Sequence, residues 1–455
     1  MKTSTSSHVQ LIGVGSAHDE NNGLTPGRLA VRTVALPDPG DLLARLPGPR
    51  ALAWVRHGYG IVGWGTAAKV TLTAGHDRFA AGEKWLRELF DGALVTDDVC
   101  VPGSGPVAFG SFTFDPTSDG SVLVIPRIVV GRRDGQSWLT TIEPLPEGTQ
   151  SPQDPPTPPV NTAQGPGHPK LPTPSPLMPP TGLRWSDGSL TPPAWERAVA
   201  TAVEAIKAGQ LRKVVLAFEQ YATATQEIDT RVLLGRLAER YPDCYTFCCD
   251  GLLGATPELY IRRTGQEVYS LVLAGTAPRG TTPEQDRALG EELLASAKNQ
   301  EEHQYGVADV RSVLAPLCTD LRIDAKPSLL RYANVQHLGT GVHGVLSDGE
   351  AATHSALALT AAVQPTAAVC GTPTETAMEL IRELECMDRA RWSGPVGWVD
   401  AKGDGEWGIA LRCGEVSGRQ ARLIAGCGIV AGSDPAAELA EAQSKFWPMR
   451  YALEG

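Results

Sequence analysis

Between Pro144 and Pro180 the chain carries 14 prolines in 37 residues, interleaved with Thr, Gln, Asp and Ser. Proline fixes φ and offers no backbone N–H, so this stretch can neither fill a sheet interior nor continue a helix. Having little apolar surface, it reads as an extended, polyproline II-like tether or loop. A chain of 455 residues allows about three domains at roughly 150 residues each. The proline run instead suggests a β-rich part over 1–143, a Pro-rich insertion or surface loop over 144–192, and a larger part over 193–455.

Hydrophobic residues make up 42% and charged residues 20% of the chain, enough to build a core and to exclude disorder throughout. Forty Lys and Arg against 51 Asp and Glu leave a net charge of −11. That balance argues against a dedicated binder of nucleic acid or anionic membranes, which needs a basic face. No run of 18 apolar residues occurs, and the patch Val9–Val14 is too short for a signal peptide's apolar region. Nine scattered cysteines include one cluster, Cys244, Cys248 and Cys249, which lacks a second ligand pair at zinc spacing. These read as buried thiols in a strand, and the expected compartment is a reducing cytoplasm.

Alternation and turn residues predict strands at Ala51–Arg56, Ile61–Trp64, Pro106–Phe114, Ser121–Val130 and Ser137–Ile142, with helices near Pro39–Leu46 and Phe79–Phe90. In the C-terminal part, helices are expected at Pro193–Ala208, Pro283–Ala295, Lys298–Ala315, Thr374–Met387 and Pro435–Phe446. Strands are expected at Lys213–Tyr221, Tyr245–Cys249, Leu259–Arg263, Val268–Leu273 and in a meander over Gly394–Val430 that includes Trp407–Cys413. Adjacent antiparallel strands beside long helices indicate an α+β fold and not a parallel βαβ array.

Five features carry possible chemistry, each with a plainer reading. Glu438, Glu441 and Lys445 share one helix face, which is either a solvated charged face or a hard-cation site. Glu301-Glu302-His303 on a second acidic helix is, by itself, a solvent-facing run. Ala425-Gly-Cys-Gly-Ile-Val-Ala-Gly432 mimics a dinucleotide loop but has no βαβ unit around it. Lys213 opens an apolar strand as an edge residue or, if desolvated, as a base. Glu258, in a turn between apolar runs, is a candidate protonated acid.

Taken together, these pieces are similar to one family. Lys213-Val-Val-Leu216, Gly254-Ala-Thr-Pro-Glu-Leu259, Leu273-Ala-Gly-Thr276 and Ser296-Ala-Lys298 with Glu301-Glu302-His303 are matched in order. Gln336-His-Leu338, Pro365 to Pro373, Gly394-Pro-Val-Gly-Trp398, Ala410-Leu-Arg412 and Ala425-Gly-Cys-Gly-Ile429 follow, and then Glu438, Glu441 and Lys445. The chain thereby resembles the chorismate-utilising enzymes, which include isochorismate synthase, salicylate synthase and anthranilate synthase component I. The N-terminal Gly60-Ile-Val-Gly-Trp-Gly65 and Val107-Ala-Phe-Gly-Ser-Phe112 extend the resemblance.

The resemblance implies one large fold of two stacked antiparallel sheets flanked by helices, with the site between them. It implies Mg²⁺ held by Glu302 and Glu441 with Glu438 nearby, and the enolpyruvyl carboxylate of chorismate held by Arg412 and the Gly426 backbone. Lys445, His337, Gly275, Thr276 and Ala368 would line the site. Lys213 marks members that activate water, Ala274 replaces the nucleophilic Lys of aminodeoxychorismate enzymes, and Ala368 replaces the Thr of those that eliminate pyruvate. The implied activity is therefore that of an isomerase, chorismate to isochorismate, with Lys213 as general base and Glu258 as general acid. Salicylate formation is the main alternative, and a non-catalytic dinucleotide-binding protein the other. The expected enzyme is a cytoplasmic monomer that acts on a small molecule, with no nucleic-acid or membrane partner. Phe218, Gln364, Asn299, Ala367 and Trp392 depart from the family's usual residues.

Overall fold

The computed structural model describes residues 28–145, 171–333 and 335–455; the patch Val9–Val14 and most of the Pro144–Pro180 run lie outside them. Among the described residues, two sheets of 13 and 10 strands carry the fold, one strand of each pairing off the main run: Gly371–Thr372 on Lys213–Thr223, and Ser328–Arg331 on Val335–Leu346. The first runs, edge to edge, through Arg184–Asp187, Lys213–Thr223, Gln420–Ile429, Cys413–Ser417, Leu252–Thr256, Tyr245–Cys249, Ala51–Arg56, Tyr59–Trp64, Ile128–Arg133, Gln136–Leu145, Arg28–Ala35 and Leu94–Asp97. The second runs through Cys318–Ile323, Val335–Leu346, Glu267–Pro278, Leu259–Thr264, Gly405–Ile409, Pro395–Asp400, Val107–Ser111, Ser121–Ile125 and Ala68–Leu72. Both sheets thus mix strands from either side of the proline run. Pairing is antiparallel as expected, save Arg28–Ala35 with Leu94–Asp97, which pair in parallel at one edge.

Side chains of the two sheets interlock between them. Trp54, Phe247 and Ile61 from the first pack with Phe109, Val122 and Trp398 from the second. Lys213–Thr223 shows why such strands form: Val214, Val215, Leu216, Ala217 and Phe218 are apolar in succession and all buried, the pattern of a strand covered on both faces. Outer helices close the layers. Pro192–Lys207 lies on Pro435–Ser444, and Ala297–Leu314 lies on the strand Glu267–Pro278. Ser296 caps the N-terminus of that second helix by accepting from Asn299 N–H.

Several expected boundaries are corrected. Ser121–Val130 is two strands, because the chain leaves one sheet for the other at Pro126, which has no N–H for a ladder. Trp407–Cys413 likewise divides into Gly405–Ile409 and Cys413–Ser417, on different sheets. The helix expected at Pro39–Leu46 is one 3-10 turn, Leu43–Arg45. The last helix stops at Ser444, and a second one, Trp447–Glu454, follows. Cys244, Cys248 and Cys249 are buried free thiols, as read from the sequence.

Candidate active site

Two places where the chain changes sheet lie side by side and build one wall of a cavity. Pro257 and Glu258 join Leu252–Thr256 to Leu259–Thr264, and Ala410 to Arg412 join Gly405–Ile409 to Cys413–Ser417. They are stitched together: Ile409 N–H donates to the Glu258 carbonyl at 3.2 Å, and Ala255 N–H donates to the Arg412 carbonyl at 3.3 Å. Arg412 adopts φ 51°, a left-handed conformation that costs a non-glycine residue about 1–3 kcal/mol and is held only where surroundings enforce it. Glu258 is buried, and burial pushes its carboxyl up to about 8, against the pull of a Leu273 backbone hydrogen bond and of Lys213 and Arg412. At neutral pH it is a carboxylic acid and can donate a proton.

Lys213 is no edge residue. Its strand pairs with Gln420–Ile429 on one side, and its side chain is 3% exposed. Its Nζ donates to Glu302 Oε1 at 2.7 Å. Gly428 makes the pair possible, since a Cβ there would stand 2.9 Å from Lys213 Cε and 3.2 Å from Glu302 Oε1. On the Pro435–Ser444 helix, Glu438 is buried, and Glu441 accepts from Lys445 Nζ at 2.8 Å. Lys445 also donates to the Gly426 carbonyl at 2.9 Å. The solvated readings of Glu302, Glu438 and His303 are therefore corrected: Glu302 and Glu438 line the cavity, and His303 is buried.

Gly275 sits at a bulge in Glu267–Pro278, at φ 70°, where pairing with Val335–Leu346 slips between Ala274 and Thr276. There the His337 Nδ1 lies 3.1 Å from both the Gly275 carbonyl and Thr276 Oγ1. A carbonyl only accepts, so Nδ1 carries the proton and Nε2 is left as an acceptor. Burial, aided by Arg412, lowers the His337 pKa to about 3, so the ring is neutral at working pH.

These residues enclose a cavity of about 290 Å³. Glu258, Gly275, Thr276, Glu302, His337, Ala368, Arg412, Gly426, Glu438, Glu441 and Lys445 all line it, and Lys213 stands directly behind Glu302. Of the departures, Asn299 and Trp392 line it as well, whereas Phe218 packs between Trp195 and Phe446 in the core. Gln364 accepts from Tyr260 O–H at 2.8 Å, and the Ala367 N–H donates to Asp309.

One pair next to the cavity was not anticipated. Arg389 and Glu385 form an ion pair with side chains 2% and 1% exposed. Arg389 donates to the carbonyls of Val215 and Val369, at 2.7 and 2.9 Å, and Glu385 accepts from Ala217 N–H at 2.8 Å. The pair thus ties the Lys213 strand to the loop carrying Ala368. Its i, i+4 spacing was the available signal; the helix expected to reach Met387 ends at Leu384, so the pair sits in the turn that follows it. Arg389→Met leaves a buried carboxylate unpaired, so a loss of about 3–5 kcal/mol in denaturant unfolding is expected. Removing both charges with Arg389→Met and Glu385→Leu should restore part of it.

A family model described as chorismate binding enzyme matches residues 52–454. The chain belongs to that family. An Aeromonas hydrophila relative is 42% identical over 252 residues, 54% of this chain and 63% of that protein, so the match takes in less than two thirds of its length. Isochorismate synthase DhbC of Bacillus subtilis is 41% identical over 273 residues, 58% of this chain and 68% of that protein. The structure of DhbC from Bacillus anthracis superposes with a TM-score of 0.71 at 30% identity, over 90% of this chain and 98% of that one. Anthranilate synthase component I from Streptococcus pneumoniae shares the fold, with a TM-score of 0.66 at 20% identity over 86% and 91% of the two chains. As a chorismate-binding enzyme, the chain has its cavity between the two sheets.

Proposed function

We propose that this chorismate-binding enzyme is an isochorismate synthase. The observation that carries the reading is a buried lysine and a neutral, buried glutamic acid serving one cavity, with Ala at 274 and 368. Water, deprotonated by Lys213, attacks C2 of the ring. The ring double bonds shift, the C4–O bond breaks, and Glu258 protonates the departing hydroxyl, which leaves as water. One water enters and one leaves, so substrate and product are isomers and no redox partner is required. Lys213 can take that proton only as the neutral amine, because an ammonium has no lone pair to accept it. Arg412, with the Gly426 backbone, holds the enolpyruvyl carboxylate, a charge-assisted contact suited to a planar guanidinium. His337 offers Nε2 as an acceptor, and Thr276, Gly275 and Lys445 shape the remaining wall.

The carboxylates fit a divalent ion in chemistry. Glu302, Glu438 and Glu441 supply hard oxygen donors, the type Mg²⁺ takes. Two of them already hold cations, the ammonium groups of Lys213 and Lys445. In that arrangement no three acidic, His or Cys side chains among the described residues converge at metal-binding distance, so ligation needs those ion pairs to open. Bound there, Mg²⁺ would neutralise the ring carboxylate of chorismate and the charge that develops on it. Chelator in excess should lower turnover about a hundredfold or more, with Mg²⁺ restoring it; full activity in chelator removes the metal from the account.

No helix among the described residues is long and apolar enough to cross a membrane. We read the enzyme as a cytoplasmic monomer acting on a small molecule. Incubation with chorismate and Mg²⁺, followed by chromatography and a pyruvate assay, tests the reaction. Isochorismate without pyruvate is expected. Salicylate with equivalent pyruvate would instead make the enzyme a salicylate synthase.

A further inference from the structure

A second cavity, of about 660 Å³, shares no lining residue with the active site. One row of side chains runs through it across four neighbouring strands: Arg262 pairs with Tyr269, Tyr269 with His343 and His343 with Arg322. Residues paired across strands project from one face of the sheet, so the row presents two rings between two guanidiniums. The Tyr269 and His343 rings pack with centroids 4.7 Å apart. On the strand Val335–Leu346, His337 of the active site and His343 of this cavity lie about 20 Å apart, at roughly 3.3 Å per residue.

Arg56 reaches the same cavity from the other sheet. Its Nη1 and the Nη2 of Arg262 donate to one oxygen, the Tyr245 hydroxyl, at 3.2 and 2.7 Å. Burial raises the pKa of that hydroxyl and keeps it neutral, so two cations meet at an uncharged group. Glu406 accepts from Arg262 Nε at 3.0 Å, but it is shared with Arg133 at 2.8 Å. The Arg56 Nε is buried with no hydrogen-bond partner among the described residues. Three guanidiniums around one carboxylate leave positive charge in excess, and like charges this close repel unless an anion joins them. A carboxylate matches a guanidinium in both shape and charge. One row further along the strands, Glu267 and Asp320 flank the cavity, and Asp320 holds Arg322 at 2.7 Å. Their negative charge selects a ligand that is anionic at one end only. With that end at Arg56 and Arg262, a flat ring would lie against Tyr269 and His343.

We propose that this cavity is a binding site for a small aromatic carboxylate, separate from the chorismate site. Arg56 and Arg262 hold the carboxylate, and Tyr269 and His343 hold the ring. The site goes beyond the isochorismate synthase reading and does not depend on it.

Benzoate is the probe, titrated into the full chain while NMR follows the imidazole resonance of His343, identified by its loss in His343→Gln. A saturable shift is expected. Arg56→Gln removes a charged donor and should weaken benzoate binding about tenfold to a hundredfold. Tyr269→Leu removes the ring contact and should weaken it about threefold to tenfold. Neither residue lines the chorismate cavity, so the chorismate-induced rise in melting temperature should match the parent's in both variants. No saturable shift, or an Arg56→Gln variant that binds benzoate as the parent does, overturns the proposal. So does a chorismate-induced rise lost together with benzoate binding, which would mark a general defect in the fold. Inorganic phosphate or cyclohexanecarboxylate binding as tightly as benzoate would make the cavity an unselective anion patch and refute the aromatic class.

Discussion

Glu258→Gln is expected to lower kcat by about 10²–10⁴-fold while leaving the fold intact. The amide keeps the size of the carboxylic acid but has no proton to give to the departing C4 hydroxyl. Burial sets the pH dependence. With its pKa raised from 4.5 to about 8, Glu258 is protonated on the acid side of that value and loses its proton above it. In the parent, kcat/KM should therefore decline as pH rises through about 8. Stability follows the same shift with a definite sign. Between the two values the unfolded chain releases this proton and the folded chain keeps it, so stability falls as pH rises across that window. The Gln variant lacks that penalty and should melt at or above the parent at neutral pH. An active Gln variant, or a rate that climbs through pH 8, would remove Glu258 as the acid.

Lys213→Ala should cost a similar factor, about 10²–10⁴ in kcat. The loss of stability should be small, because the Glu302 side chain is 21% exposed and open to hydration. Lys213→Arg separates the two roles a cation could have. The guanidinium keeps the charge and the pairing with Glu302 but does not give up a proton at any working pH, so it should be as inactive as the Ala variant. An Arg variant within tenfold of the parent would show that Lys213 contributes charge and not base.

Local features could be read from the chain; those set by distant contacts could not. Val214 to Phe218 declare a buried strand in succession, and Lys213 at its start was legible for that reason. Val335–Leu346 was not: its Gly339, Gly341 and Gly344 weaken every strand signal, yet it is the strand that brings His337 to the bulge at Gly275. Arg412 was expected inside a strand, because nothing in Ala410-Leu-Arg412 reveals a left-handed residue where the chain changes sheet. Glu302 and Glu438 looked solvated on their own helices, since the cavity they face is made by the opposing sheet. The resemblance supplied that partner; periodicity alone did not. Glu385 and Arg389 went unread, being a pair whose value lies in the backbone carbonyls it grips.

In the proposed reaction, solvent water becomes the C2 hydroxyl while the C4 hydroxyl departs. Turnover of chorismate in ¹⁸O-labelled water tests it directly, with the product isolated and its label located by mass spectrometry and NMR. One ¹⁸O per isochorismate, at C2, is expected in the parent, with negligible product from Lys213→Ala and Glu258→Gln. Unlabelled isochorismate would mean that the hydroxyl migrates within the substrate, and would contradict the roles given to both residues.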